Sequence, residues 1–266
     1  MRVIQSLRNL LPFGKGAVIS VTALASLLVL NVAHAQLLDP YTAKYKAYRS
    51  GSEVGHAEMH LESLGDKRFK VSFTSKASLF FFSDKREEVS LFSNENNALI
   101  PYKYTFKLDS TFKDSALALE FNQDKKLIYM SGNQSMEWQG ELDNQLYMLA
   151  SQKALKEGKT DFEFDVINYR GQKRHYKFKV NGEEMLDLPY GKLKTIKVET
   201  IRDNKKRQTY TWFAPELNYL LVRIQQFKDG DEQGDIQLSK FILDAPEPEK
   251  APSSKSPESK PSGNAE

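Results

Sequence analysis

The chain contains no cysteine. This absence excludes a disulfide framework, a thiolate zinc site, a cysteine nucleophile and a lipid-modified amino-terminal cysteine. Beyond the first 35 residues the chain also lacks an excess of charge. Those first residues include Arg2, Arg8 and Lys15 and no acidic residue, so the rest of the chain has 35 basic and 35 acidic residues. Bulk charge therefore gives no indication of a protein that binds polyanions.

Motifs that mark catalytic or cofactor sites are missing as well. The sequence has no Gly-x-Ser-x-Gly segment, and its only closely spaced glycines of the phosphate-loop type, Gly14 and Gly16, lie near the amino-terminus. Neighbouring carboxylates such as Glu87 and Glu88 point to opposite faces of a strand and do not form a dyad. We accordingly predict no catalytic residue and no cofactor.

Residues of metal-binding type cluster at His56, Glu58, His60 and Glu62. The alternating apolar residues between them indicate a strand, in which a rise of about 3.3 Å per residue separates His56 from His60 by roughly 13 Å. Two ligands of one zinc ion must lie within about 4 Å of each other. The pattern therefore favours a solvated strand face, and no metal site is predicted.

The amino-terminus has the three parts of a secretory signal peptide. A basic stretch is followed by an uncharged apolar run from Ala17 to Val32 and then by Ala33-His34-Ala35 before Gln36. As a helix the apolar run would span only about 24 Å, less than the roughly 30 Å of a bilayer core. We predict cleavage between Ala35 and Gln36 rather than a retained anchor, and export to the periplasm if the source is Gram-negative.

The carboxy-terminal segment 245–266 is rich in Pro, Ser, Lys and Glu and has no large apolar side chain. Burial cannot offset the entropy of ordering such a segment, so we predict a disordered tail.

Between these ends, residues 36–244 show apolar and polar side chains alternating with period two in most segments. Tyr41 to Ala47 and Phe69 to Phe73 are examples, and short polar turns separate such runs. This alternation is typical of antiparallel sheets with one solvated face. We predict a mainly β protein, an antiparallel meander of about a dozen strands that forms a curved sheet or barrel-like structure.

One segment departs from this pattern. Residues 143–157 lack β-branched side chains, begin at the capping-type Asp143 and precede Gly158, which predicts the single helix of the chain. The helix would either join two lobes, 36–142 and 158–244, or cover one curved sheet.

Aromatic side chains are the most informative feature of the body, since the chain has 30 Phe, Tyr and Trp residues. The run Leu79 to Phe82 is apolar on both sides of a strand, and the two tryptophans are amphipathic. As lining of an apolar ligand site we predict a set of five aromatic residues: Tyr45, Phe80, Phe82, Trp138 and Trp212.

Four features of the body are distinctive together: YKAYRSGSEVG at Tyr45–Gly55, the mid-chain helix, YTWFAPELNYLLVR at Tyr210–Arg223 and the stretch Ile236–Phe241. In these features the chain resembles a large family of exported bacterial proteins, domain of unknown function 3108. Leu221-Val222-Arg223 lacks the proline that the family has there. Over residues 41–243 the resemblance implies a secreted, mostly β protein without an established activity, and it supplies no catalytic residue.

Two functions follow as hypotheses. The first is a non-enzymatic periplasmic protein that binds an apolar or amphipathic component of the cell envelope, such as a lipid, or acts in envelope maintenance. The second is a hydrolase of an envelope polymer whose carboxylates, or a Ser/His pair, converge from different strands. Neither involves nucleic acid or a membrane span in the mature chain.

The leader generates the first prediction. When the full precursor is expressed in a Gram-negative host, osmotic shock should release a mature protein that begins at Gln36. Intact-mass spectrometry will detect this species. Replacing Ala35 with Phe should leave the uncleaved precursor in the membrane fraction, because the peptidase accepts only small side chains there. Export of a chain that retains residues 1–35 would contradict the prediction.

Overall fold

The computed structural model describes residues 38–79, 82–203 and 206–244. The predicted signal peptide with its Ala35–Gln36 cleavage site, the predicted tail 245–266 and Phe80 lie outside the described residues. Phe82 begins one of the strands.

Within the described part, the protein is mostly β, with one α-helix and a single 3-10 turn at Pro215–Leu217. The helix α1 spans Leu146–Lys156. The strands are β1 (Tyr41–Arg49), β2 (Ser52–Gly65), β3 (Arg68–Leu79), β4 (Phe82–Glu95), β5 (Ala98–Ser110), β6 (Ser115–Asn122), β7 (Leu127–Met130), β8 (Gln134–Glu137), β9 (Leu142–Asp143), β10 (Asp161–Ile167), β11 (Lys173–Leu188), β12 (Gly191–Ile201), β13 (Arg207–Ala214), β14 (Leu220–Lys228) and β15 (Asp231–Leu243).

These strands form one large, curved sheet that does not close on itself. Its order is β8-β7-β6-β5-β4-β3-β2-β1-β15-β14-β13-β12-β11-β10-β9, antiparallel at every pairing except the parallel contact between β9 and β10. The chain thus builds one hairpin meander outward from β1 to β8 and a second one back from β10 to β15. Both sets of strands belong to the same sheet.

The two meanders are joined by the pairing of the first and last strands. Tyr41 lies opposite Leu243 and Tyr48 lies opposite Asp235, with an irregularity between Lys44 and Tyr45. Every second residue of β1 is buried at its start, as the alternation predicts, and Tyr45 donates a hydrogen bond of 2.9 Å to the Leu221 carbonyl in β14.

The helix packs against the inner side of this sheet. Leu146 and Leu149 belong to the largest hydrophobic cluster together with residues of β1, β2 and β15, whereas Leu155 packs with Phe178 and Phe213 of the second meander. The helix lies inside the predicted range 143–157 but begins at Leu146, because Asp143 belongs to β9 and caps the helix from there through its side chain.

The strand count exceeds the predicted dozen because of segments whose alternation is weak. Strands β7, β8 and β9 have only four, four and two residues. Strand β4 contains the charged run Asp84 to Glu88, in which Glu88 is buried and Glu87 pairs with Lys85. A charged residue on the inner face breaks the pattern by which strands are recognised in sequence.

No helix in the described part of the chain is long and apolar enough to cross a membrane.

The close packing of β2 on β3 generates a second prediction. An alanine Cβ at Gly55 would lie 2.0 Å from the Lys76 carbonyl oxygen and 2.7 Å from the Ala77 Cα, both backbone atoms. Gly55→Ala should therefore reduce the free energy of unfolding by about 3 kcal/mol or more in urea denaturation, because the strands must separate to admit the methyl group.

The matched control is Gly234→Ala in β15, where an added Cβ meets no heavy atom within 4 Å. Its free energy of unfolding should stay within about 1 kcal/mol of the wild-type value. The added methyl group causes no clash in the folded state, and it reduces the conformational entropy of the unfolded chain. Equal stability of the two variants would contradict the close approach at Gly55.

Candidate functional site

A cavity of about 830 Å³ lies between the inner face of the sheet, the helix and the loop between β10 and β11. Its volume falls in the range of about 300–1,000 Å³ that is typical of small-molecule sites. Nine strands contribute to its lining, from both meanders, so the cavity exists only because the two are joined in one sheet.

Apolar and aromatic side chains form much of the wall. Alternation along β11 brings Tyr176 and Phe178 to the inner face, where Tyr147 of the helix contacts both rings at centroid distances of 5.4 and 6.0 Å. Further apolar lining comes from the neighbouring strands and the helix: Met59, Phe73, Met148, Leu221, Ile224, Phe227 and Ile236.

Of the predicted lining residues, Tyr45 faces this cavity and is buried. Trp138 and Trp212 are not among the described residues that line it. Trp138 packs edge-on against Phe121 and donates to the Glu141 carbonyl, and Trp212 donates a 3.1 Å hydrogen bond to Glu184 while Arg223 lies over its ring. The structure does not bring the two tryptophans together with Tyr45 at one site.

Basic residues are the unexpected component of the lining. Five of the eight described arginines face the cavity, together with Lys228, whereas Glu88 is the only carboxylate among its described lining residues. The five are Arg86, Arg170, Arg174, Arg202 and Arg207, and none of them forms an ion pair with a described acidic residue. The cavity therefore combines apolar walls with an excess of positive charge.

Strand topology gathers most of these charges at one end of the cavity. Arg174 is the second residue of β11, and Arg202 follows the last residue of β12. Arg207, the first residue of β13, pairs with Lys228, the last residue of β14. Because neighbouring antiparallel strands begin and end side by side, these four residues lie at the same mouth.

The loop between β10 and β11 is held in a fixed conformation by Asn168. Its side-chain Oδ1 accepts hydrogen bonds from the backbone N–H groups of Arg170 and Gln172, at 2.9 and 3.1 Å. Gly171 in this loop has φ +72°, and a Cβ atom added there would lie 3.3 Å from the Met130 Sδ atom and 3.5 Å from the Leu117 Cδ1 atom. Tyr169 and Arg170 of this hydrogen-bonded loop thus line the cavity.

Two buried carboxylates anchor the start of the helix beside the cavity. Glu88 Oε2 accepts hydrogen bonds from Tyr104, Asn144 and Gln145, at 2.7, 2.8 and 2.8 Å. Asp143 accepts from Ser90 through Oδ2 and from the backbone N–H groups of Gln145 and Leu146 through Oδ1. Both side chains are therefore engaged in holding the helix against β4.

Burial raises the pKa of Asp143 to about 6, although its hydrogen bonds with Ser90 and the helix backbone oppose this shift. The negative charge of nearby Glu88 acts in the same direction as burial. The network therefore contains a carboxyl group that titrates close to neutral pH.

The three described histidines lie away from the cavity lining. His175 is exposed and pairs with Asp165 and Glu163, which raise its pKa through hydrogen bonds. His60 contacts Thr42 Oγ1 at 3.0 Å, and His56 is exposed. Among the residues that the structure describes, no group of three or more histidine, aspartate or glutamate side chains is placed to hold a metal ion.

Reasoning from the sequence missed the arginines of the cavity. They are spread over residues 86–207 and form no linear motif, and four of them lie at strand ends or in a loop. The one local signal was Arg86 next to Glu87 and Glu88, charges that interrupt the alternation of β4.

Comparison with known proteins identifies a family and a similar fold. The family described as "Protein of unknown function (DUF3108)" matches residues 40–237, which confirms the resemblance seen in the sequence. The fold is similar to the crystal structure of a beta-barrel-like protein of domain of unknown function DUF1849 from Brucella abortus, with a TM-score of 0.57 and 8% identity over 78% of this chain and 99% of that chain. No protein of curated function matches the sequence.

The raised pKa of Asp143 generates a third prediction. Between pH 4 and 6 the folded protein binds this proton more tightly than the unfolded chain, so the contribution of Asp143 to stability falls as the pH rises through this window. Relative to Asp143→Asn, the wild type should gain about 1 kcal/mol of unfolding free energy when the pH is lowered from 7.5 to 5.

Urea denaturation of both proteins at the two pH values measures this difference. The control is Gln123→Ala, a substitution in an exposed turn that changes no titratable group, so its stability relative to the wild type should be the same at the two pH values. A pH-independent difference for Asp143→Asn would contradict the raised pKa.

Proposed function

This chain belongs to DUF3108, a family of proteins of unknown function, and from its cavity we propose that it binds an apolar or amphipathic component of the cell envelope. The proposal places the mature protein in the periplasm, as a binding protein that acts in envelope maintenance.

The observation that carries the proposal is the apolar wall of the 830 Å³ cavity. Burial of a single acyl chain there removes methylene groups from water at a gain of about 0.8 kcal/mol each. A dozen methylenes therefore supply on the order of 10 kcal/mol, enough to offset the translational and conformational entropy lost on binding. A flexible chain also adapts to an irregular wall in which Met59 and Met148 can change rotamer.

The proposed location rests on the amino-terminal sequence. The basic stretch, the apolar run from Ala17 to Val32 and the small residues Ala33 and Ala35 are the features of an exported chain. The lack of cysteine suits an oxidising compartment, in which a free thiol would be reactive.

The alternative, hydrolysis of an envelope polymer, has less support from the geometry. Acid–base cleavage of this kind uses two carboxylates that both face the substrate. Here Asp143 is fully buried with both oxygens hydrogen-bonded, and Glu88 is held by three donors. These carboxylates serve the attachment of the helix, so binding is the function that the site supports best.

The proposal predicts a bound or bindable apolar ligand. Protein purified from the periplasm without detergent, then denatured and extracted with organic solvent, should release an acyl-chain compound in stoichiometric amount, as measured by mass spectrometry. Stripped of that ligand, the protein should bind N-phenyl-1-naphthylamine, an uncharged apolar fluorophore, with an increase in emission.

A pair of variants on one strand tests whether the cavity is the site. Ile224→Trp places a bulky ring among the lining residues and should weaken binding of the fluorophore by about tenfold or more, because it occupies ligand volume. Gln225→Trp is the control, since Gln225 is the next residue of β14 and is not among the described lining residues. Equal binding by both variants, or a clean extract from protein that binds no fluorophore, would contradict the proposal.

A further inference from the structure

Arg86 is half-buried, whereas the other four arginines that line the cavity are exposed. Its guanidinium carbon lies 5.8 Å from the centre of the Phe106 ring and 5.6 Å from that of Tyr169, so two aromatic faces position it. Its Nε atom is buried and has no hydrogen-bond partner among the described residues. The Arg86 side chain is nevertheless among the described residues that line the adjoining cavity, so its charge is within reach of a ligand bound there.

Three more arginines of the same cavity are placed by nearby residues. Arg170 lies 5.3 Å from the centre of the Tyr169 ring, on which Arg86 also rests. Arg174 lies two residues before Tyr176 in β11, and Arg202 follows Ile201, which pairs with Lys177 of the same strand, so both arginines lie near Tyr176. Arg86, Arg170, Arg174 and Arg202 are called the arginine cluster below.

The arginine cluster differs from the arginine that has a structural role in this protein. Arg223 makes two hydrogen bonds with Asp235, at 2.8 and 2.6 Å, so its charge is neutralised within the fold. The cluster members have no described carboxylate partner; Arg174 and Arg202 donate instead to neutral oxygens of Gln172 and Thr209. Like charges gathered without counter-ions repel one another, and a bound anion relieves that repulsion.

From these contacts we infer that the ligand is a phosphorylated amphiphile, whose phosphate head group is bound by the arginine cluster while its acyl chain lies against the apolar wall. The inference deepens the proposed function and rests on it. Guanidinium forks match phosphate oxygens in bidentate pairs. A phosphate monoester carries a charge of about −1.5 to −2 at neutral pH and has enough oxygens for several arginines at once.

Direct binding measurements on the full mature chain, freed of its ligand, test the head group. The matched probes are 1-dodecanoyl-glycerol 3-phosphate and 1-dodecanoyl-glycerol, which share a chain and differ in the phosphate, each used below its critical micelle concentration. The phosphate ester should bind about tenfold more tightly or better at low salt, with an advantage that shrinks as salt is raised. Inorganic phosphate alone should bind far more weakly than the ester, because it buries no chain.

Substitutions in the arginine cluster test whether these residues bind the phosphate group. Arg86→Gln and Arg174→Gln should each weaken binding of the phosphate ester by about tenfold while changing the affinity for 1-dodecanoyl-glycerol less than twofold, and Arg86→Lys should recover only part of the loss. Arg49→Gln is the control, because Arg49 lies at the end of β1 and is not among the lining residues. The unchanged affinity for the neutral probe also shows that each variant is folded.

The outcomes separate this inference from the proposed function. Equal affinities for the ester and the neutral probe, or an ester affinity that is unchanged in both Arg→Gln variants, would contradict recognition of a phosphate head group. The proposed apolar binding site would not be contradicted by either result. Inorganic phosphate that binds as tightly as the ester identifies a simple anion site and overturns the amphiphile. Failure of the neutral probe and the naphthylamine to bind at all overturns the proposed function itself.

Discussion

The pairing of β1 with β15 is the constraint on which the rest of this structure depends. Every other antiparallel contact in the sheet joins strands that follow one another along the chain, and short turns suffice to form it. Only this ladder brings together residues about 200 positions apart, such as Tyr41 and Leu243. Without it the sheet would be divided into two separate meanders.

This long-range contact has two consequences for the interior. It sets Tyr45 within reach of β14, where the tyrosine hydroxyl donates a hydrogen bond to the Leu221 carbonyl, and it makes the two meanders one sheet that contacts both ends of the helix. The helix is then fixed at its start by polar groups, Glu88 and Asp143, as well as by apolar packing of Leu146 and Leu149. Satisfied buried networks of this kind specify one arrangement more strictly than apolar contacts do. The cavity is the space that this rigid frame leaves beside the helix.

Much of the architecture could be predicted from the sequence because hydrophobic periodicity is a local property. Period-two runs such as Tyr41 to Ala47 correspond to strands, and the helix lies inside the predicted segment 143–157. The prediction undercounted the strands where local pattern is weak: β4 carries charge on its inner face, and β7 to β9 are too short to show a period. The candidate site was predicted less well. Tyr45 faces the cavity, but Trp138 and Trp212 have other partners, and the arginines were not anticipated.

The sequence by itself determined the β class, the mid-chain helix and the family, since each depends on residues that are near one another along the chain. Only the tertiary structure decided where the cavity lies and that five arginines face it without an acidic partner among the residues that the structure describes. Charges spread over residues 86–207 form no linear motif, because their interaction energy depends on distances that exist only after the strands have paired.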